Sequence, residues 1–277
     1  MTKTWFITGA SVGLGRSMTE RLLDRGDRVV GSIRREGALD DLKRKHADRL
    51  LVSTLDLTDR ASIRAAVDDA FSRMGVIDVV VSNAGYGLFG AGEEVTDEQI
   101  DHQIATNLTG SIALIRAALP HLRRQGRGRV VQVSAEGGQI AYPSFSLYHA
   151  TKWGIEGFIE SVAQEVAPLG IDFLIIEPGP TETNFGTGLV RATPMEAYSA
   201  TPAGDVRRAL STGSFAIRGD AANTVAAIIE AADADEAPLR LALGSTAYQN
   251  IRAALARRLE AIEAQRDIAF SADRKET

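Results

Sequence analysis

The chain contains no cysteine. That absence excludes disulfides, thiolate nucleophiles and cysteine-ligated metal, and it argues against a small stapled secreted scaffold. Its four histidines, His46, His102, His121 and His149, show no ligand spacing with one another or with carboxylates, so no metal site is expected. No apolar run approaches the roughly 20 residues of a membrane helix. The N-terminus lacks the basic, apolar, small order of a signal peptide. A cytoplasmic protein with no membrane partner is expected. Excess positive charge is missing too: 31 Lys plus Arg stand against 36 Asp plus Glu, a net charge of −5. Nucleic-acid binding needs a concentrated basic surface, so none is expected. The run from Arg123 to Arg129 reads as a solvated loop on the face opposite the strand C-termini.

What the chain does have is ordinary globular composition, with 44% hydrophobic residues over 277 positions, enough for a sizeable core. Short apolar runs alternate with longer amphipathic stretches. Strands are expected at Trp5–Thr8, Arg28–Ile33, Leu50–Thr54, Ile77–Val81, Arg129–Ser134, Ile171–Ile176 and Leu239–Leu243. Helices are expected at 13–25, near 38–46, at 60–73, at 97–120 stopping at Pro120, at 145–167 and near 220–232. Strict alternation means βαβ units and a parallel sheet of about seven strands covered on both faces. Apolar runs without strict period-two alternation agree, since such strands are buried on both sides. No linker divides the chain, so 1–277 reads as one doubly wound Rossmann-type α/β domain. Residues 179–218 have no clear period and form a candidate substrate loop. Residues 246–266 read as a C-terminal amphipathic helix packing on its own domain or a sister subunit, and 267–277 as a frayed polar tail.

Between the first strand and the first helix lies Thr8-Gly9-Ala10-Ser11-Val12-Gly13-Leu14-Gly15. Glycines at such a turn let backbone approach a phosphate, and the helix N-terminus offers free N–H groups and partial positive charge. Alone, a glycine triplet is weak evidence; opening a βαβ unit, it points to a dinucleotide. The variant spacing resembles the cofactor loop of the short-chain dehydrogenase/reductase family. The resemblance continues through Asp56 and Leu57, Asn83-Ala84-Gly85, Asn107, Tyr148-His149-Ala150-Thr151-Lys152, and Pro178-Gly179 with Thr181 and Thr183. It implies an NAD(P)-dependent oxidoreductase acting on a small carbonyl or alcohol substrate, usually as a homo-oligomeric dimer or tetramer built on the Tyr148 helix. Gly154 and Gly157 would allow close approach there.

In a dinucleotide fold, an acid roughly 20 residues past the glycines holds the ribose 2′-hydroxyl. Here the window reads Gly31-Ser32-Ile33-Arg34-Arg35. A guanidinium binds a 2′-phosphate that a carboxylate would repel, so NADP(H) is expected, with Arg34 as the main contact and Ser32 and Arg35 as weaker ones. Solvated surface arginines are the alternative.

Tyr148 and Lys152 are four apart on an expected helix and share a face. By resemblance, Tyr148 is the acid–base, its pKa lowered by the ammonium and the oxidised cofactor. Lys152 also holds the ribose, and Asn107 positions a water beside it. A polar kink inside a helix is the other reading of Asn107. The family's serine, thirteen residues before the tyrosine, falls at Ala135, with Ser134 one place earlier. Three explanations stand: a serine replaced to trap a complex; a natural protein whose donor is Ser134, Ser144 or Ser146; or a catalytically impaired NADP-binding sensor or scaffold. Successive strand residues face opposite ways, so Ser134 is expected to aim away from the substrate. Tyr86, Leu88, Phe89, Tyr142 and Phe145 are candidates either for an apolar pocket or for core packing. Phe185, Tyr198 and Phe215 would close over the substrate.

Overall fold

In the computed structural model, which describes residues 2–274, the strands form where β-branched and aromatic residues cluster. They are β1 (Thr4–Ile7), β2 (Arg28–Ile33), β3 (Leu50–Thr54), β4 (Val79–Ser82), β6 (Gly128–Val133), β7 (Ile171–Pro178) and β9 (Arg240–Leu243). All pair in parallel, in the order β3-β2-β1-β4-β6-β7-β9. The helices are α1 (Gly13–Arg25), α2 (Asp40–Lys45), α3 (Arg60–Met74), α4 (Asp97–Ile104), α5 (Gly110–Gln125), α6 (Ser146–Val166), α7 (Pro202–Ser211), α8 (Ala221–Asp233), α9 (Ser245–Glu263) and α10 (Arg266–Ser271). A short parallel pair, β5 (Leu88–Phe89) with β8 (Val190–Arg191), lies outside the main sheet.

Side-chain alternation along each strand builds two apolar layers, one on each face of the sheet. Phe6, Val30, Val80, Val130 and Phe173 pack with Ile63 of α3, Leu114 of α5 and Ile155 of α6. Their neighbours Trp5, Val29, Val79, Val131 and Leu174 pack with Leu22 of α1 and Ile228 of α8. The strand order reverses between β1 and β4, which sets the loops after those strands side by side at the sheet's C-terminal edge, where open α/β sheets bind ligands.

Four expectations need correcting. Pro120 does not stop its helix: α5 runs on to Gln125 and ends at Gly126, which adopts a left-handed cap. Pro120 and Arg116 are both exposed, so water can satisfy the Arg116 carbonyl that the proline cannot reach. The stretch 179–218 is not structureless, because it holds β8 and α7. The latter is announced by Thr201 as N-cap, accepting from Ala203 N, and by Pro202 in the first turn. The tail forms α10 as far as Ser271, and residues 275–277 lie outside the described residues. Finally, the basic run is not all solvated. Arg129 is buried on β6, where it pairs with Asp172 at 2.5 Å and donates to the carbonyls of Ala232 at 2.8 Å and Ala234 at 2.7 Å. It thereby neutralises the negative end of α8.

Candidate functional site

The glycine turn is shaped by contact with β4's loop. Gly9 has φ +68°, and a Cβ there would lie 3.0 Å from Ala84. A Cβ on Gly15 would sit 2.3 Å from the Gly9 carbonyl oxygen, so any side chain there would break the turn. Thr8 joins the two loops: its hydroxyl accepts from Asn83 N at 2.9 Å and Ala84 N at 3.1 Å, while Asn83 Nδ2 donates to Thr8 O at 2.9 Å. Helices α3, α4 and α8 are each capped by a side chain, from Asp59, Thr96 and Asp220. In contrast, α1 opens on Val12 with no side-chain cap and no acid in its first turn. Its first N–H groups therefore stay free for an anion.

This turn forms one end of a cavity of about 1160 Å³. Gly9, Ser11, Gly13 and Leu14 line that end, with Ser32, Arg34 and Arg35 beside them. Ser32 Oγ accepts from Gly9 N at 3.3 Å. An exposed carboxylate, Glu36, stands at the same rim. Asp56 and Leu57 line the cavity next, followed by Asn83, Ala84 and Gly85. Asp56 accepts from the backbone and hydroxyl of Thr58, both at 2.8 Å, and these bonds hold its carboxyl below the usual range. Pro178, Gly179, Thr181 and Thr183 close the cavity's other flank. Thr183 returns to the first turn, with its Cβ 3.9 Å from where a Gly13 Cβ would stand.

Asn107 sits on a π-helical turn, Ala105–Thr109, between α4 and α5. Such bulges accompany functional sites. Its side chain donates to Tyr86 O at 2.8 Å and accepts from Tyr86 N at 3.1 Å, bracing the loop after Gly85. The side chain is engaged with that backbone, and neither Asn107 nor Gly15 lines the cavity.

Tyr148 and Lys152 share one face of α6 and line the cavity's middle. Lys152 Nζ lies 5.5 Å from the Tyr148 ring centre and donates to Val133 O at 2.9 Å. Burial lowers the Lys152 pKa to about 8, with Glu156 opposing. Burial pushes the Tyr148 phenol up, and Tyr142, Glu136 and Glu156 add to the shift. The protein alone therefore holds a neutral phenol, the reverse of the direction expected beside an ammonium and an oxidised cofactor. Two buried groups that each lose hydration on ionising explain the difference.

Ala135 lies in the same apolar cluster as Tyr148, Phe145 and Phe89. Ser134 is turned to Glu156, whose carboxylate accepts its hydroxyl. Glu156 is itself held by Arg240 of β9 at 2.5 Å, and the same guanidinium pairs with Glu177. Ser144 donates to Ala203 O at 3.3 Å, and neither it nor Ser146 lines the cavity. Tyr86, Tyr142, Phe145, Phe185 and Phe215 do line it. Leu88 and Phe89 are instead buried in β5, and Tyr198 bonds Glu93 at 2.7 Å away from the cavity. Sequence reasoning missed Glu136, Leu189, Leu210 and Ile217, which also line it. No periodic pattern marks them, because they come from separate turns and the long loop.

With that geometry in place, similarity to known proteins decides the family. Residues 3–193 match the short chain dehydrogenase family. The chain belongs to the short-chain dehydrogenases. It is 37% identical over 253 residues to Oxidoreductase BOA17 of Botryotinia fuckeliana, covering 90% of this chain and 91% of that one. It is 34% identical over 273 residues to Oxidoreductase calM of Penicillium decumbens, covering 94% and 90%. The crystal structure of a short-chain dehydrogenase from Streptomyces avermitilis superposes with a TM-score of 0.90 at 38% identity, over 98% of both chains. The protein is thus an oxidoreductase of this family. Among the described residues no helix is long and apolar enough to cross a membrane.

Proposed function

We propose that this short-chain dehydrogenase reduces a ketone or aldehyde with NADPH, or runs the reverse oxidation. The observation that carries the reading is the single cavity that joins the glycine turn to Tyr148 and Lys152. The residues suit a dinucleotide: an uncapped helix N-terminus, a turn that excludes Cβ atoms, and arginines at the rim where an acid would select NADH. Gly9, Ser11, Gly13 and Leu14 would hold the pyrophosphate, Arg34 the 2′-phosphate, Asp56 and Leu57 the adenine. Asn83 to Gly85, Lys152, Pro178, Gly179, Thr181 and Thr183 would hold the nicotinamide riboside. When bound, the nicotinamide supplies or accepts the hydride.

The chain's own part is the proton. Tyr148, neutral by burial, donates its phenolic proton to the carbonyl oxygen as negative charge builds there. The Lys152 ammonium, fixed at Val133 O, favours the tyrosinate left behind. Asn107 positions this machinery by holding the Tyr86 backbone. Ala135 stands where the family's substrate-binding serine would be; Ser134 lines the cavity but its hydroxyl is taken by Glu156, Ser144 is taken by the Ala203 carbonyl, and Ser146 does not line the cavity.

That methyl group favours a second reading, an NADP-binding sensor with slow turnover. A carbonyl panel assayed beside a cofactor titration separates the two. Turnover supports the reductase; cofactor binding without turnover, even in Ala135→Ser, supports the sensor. A homo-oligomer on α6 belongs to the same proposal, although Gly154 packs against Leu108 of its own chain and only Gly157 is open.

A further inference from the structure

The cavity beyond Tyr148 is walled by Tyr142, Phe145, Phe185, Leu189, Leu210 and Ile217, an apolar surface. One buried carboxyl breaks it. Glu136 follows Ala135 directly, lines the same cavity and is only 4% exposed. Asn250 of α9 donates to its Oε2 at 3.0 Å. Its Oε1 receives no hydrogen bond from the described residues, yet it is not one of the sealed, unpartnered atoms. So one oxygen is pinned, and the other keeps accessible surface on a residue that lines the cavity. A single amide donor leaves a buried carboxylate undercompensated, which costs stability unless a ligand supplies a second donor.

We infer that Glu136 is a specificity-determining residue, which selects an apolar ketone bearing an amine or hydroxyl donor for Oε1 and rejects ketones bearing a carboxylate at that end. The inference rests on the reductase reading above. Burial pushes the Glu136 carboxyl up in pKa, as expected for a group lacking one partner, and its charge is felt by both Tyr142 and Tyr148. A purely structural role, tying α9 to the loop after β6, would affect every substrate alike.

Three matched aryl alkyl ketones test it: the parent, an amino derivative and a carboxylate derivative substituted at the same position. Two readouts are taken on the wild-type protein and Glu136→Gln, whose amide oxygen can still accept from Asn250. One is kcat/KM with NADPH. The other is the dissociation constant of each ketone for the protein–NADP+ complex by calorimetry. The expected ranking is amine, parent, carboxylate, with about tenfold or more between first and last, and Glu136→Gln shrinking that ratio by a similar factor. Equal use of amine and carboxylate by the wild type, or an unchanged ratio in Glu136→Gln, overturns the inference. Should Glu136→Gln fail to fold, Glu136→Met and the wild-type ranking decide. Absence of turnover on every ketone, even in Ala135→Ser, sinks the reductase reading, while the binding ranking still judges Glu136.

Discussion

The two ends of the cavity are built by different means. The end we assign to the cofactor is made of backbone: glycine turns, free N–H groups and an asparagine that ties two strand ends together, all within short sequence motifs. The end we assign to the substrate is made of side chains that converge from the 136–145 turn, β5's surroundings and the loop through α7. Backbone chemistry tolerates few residue types and so leaves a readable signature. An apolar wall tolerates many and leaves none. Tyr148 stands at the boundary, and the sharpest test of the division starts there.

Tyr148→Phe should lower turnover by roughly 10²–10⁴ because the phenol is needed for proton transfer, while NADPH affinity stays within a few-fold. Turnover near the parent rate would show that the proton comes from elsewhere. Adding a hydroxyl at the boundary is the next largest effect. Ala135→Ser should raise kcat by about 10²–10³ with little change in Tm, since a donor aimed at the developing alkoxide acts mainly in the transition state. Ser134→Ala, measured beside it, should alter packing around Glu156 more than rate. A silent Ala135→Ser with an inactive Ser134→Ala would reverse that assignment.

Arg34→Asp probes the far end. It should weaken NADPH binding roughly 10- to 100-fold by titration and leave NADH affinity almost unmoved, as expected for losing charge-assisted hydrogen bonds to a phosphate. Equal affinity of the unaltered protein for both cofactors would remove the argument. Within the cofactor turn, Gly15→Ala forces a Cβ to 2.3 Å from a carbonyl oxygen, whereas a Cβ at Gly186 in the substrate loop meets nothing within 4 Å. The first should cost about 1–3 kcal/mol of stability in chemical denaturation, the second almost none. Matching losses would mean that the two ends are equally constrained.

The smallest effect concerns how the substrate loop is held. Glu94, buried, accepts from Ala91 N and Met195 N at 2.8 Å and from Arg207 of α7 at 2.5 Å. Burial pushes its carboxyl up, but those donors together hold it below the usual range. A depressed carboxylate contributes stability above its unfolded pKa and loses it as pH falls through the folded value. The clamp should therefore be intact at neutral pH and open only in acid below the ordinary carboxylate range. Glu94→Gln should speed limited proteolysis within 184–218 at neutral pH, with a cost of about 1 kcal/mol. An unchanged cleavage rate would show that β8 pairing alone holds the loop.

Periodicity and turn chemistry made most of the fold legible, and the bounds of β2, α1 and β3 agree with the sequence reading residue for residue. The misses share a cause. Pro120 reads as a stop, but its consequence depends on whether water reaches Arg116. Arg129 reads as one of four arginines in a solvated basic run, but the end of α8 arrives beside it from a hundred residues away. The apolar spacing of the C-terminal helix is real, yet Ile251 is buried while Leu255, Leu259 and Ile262 stay exposed, because only its first half crosses the body.

The order of strands and helices, the glycine turn, the arginine pair directly after β2 and the pairing of Tyr148 with Lys152 were determined by local sequence. Each depends on residues within a few positions of one another, where propensity, chirality and side-chain period act directly. Which hydroxyls face the cavity, which carboxyl intrudes on its apolar end and which arginine is buried were decided by the tertiary structure. Those outcomes depend on desolvation and on partners that only the folded chain brings within hydrogen-bond reach.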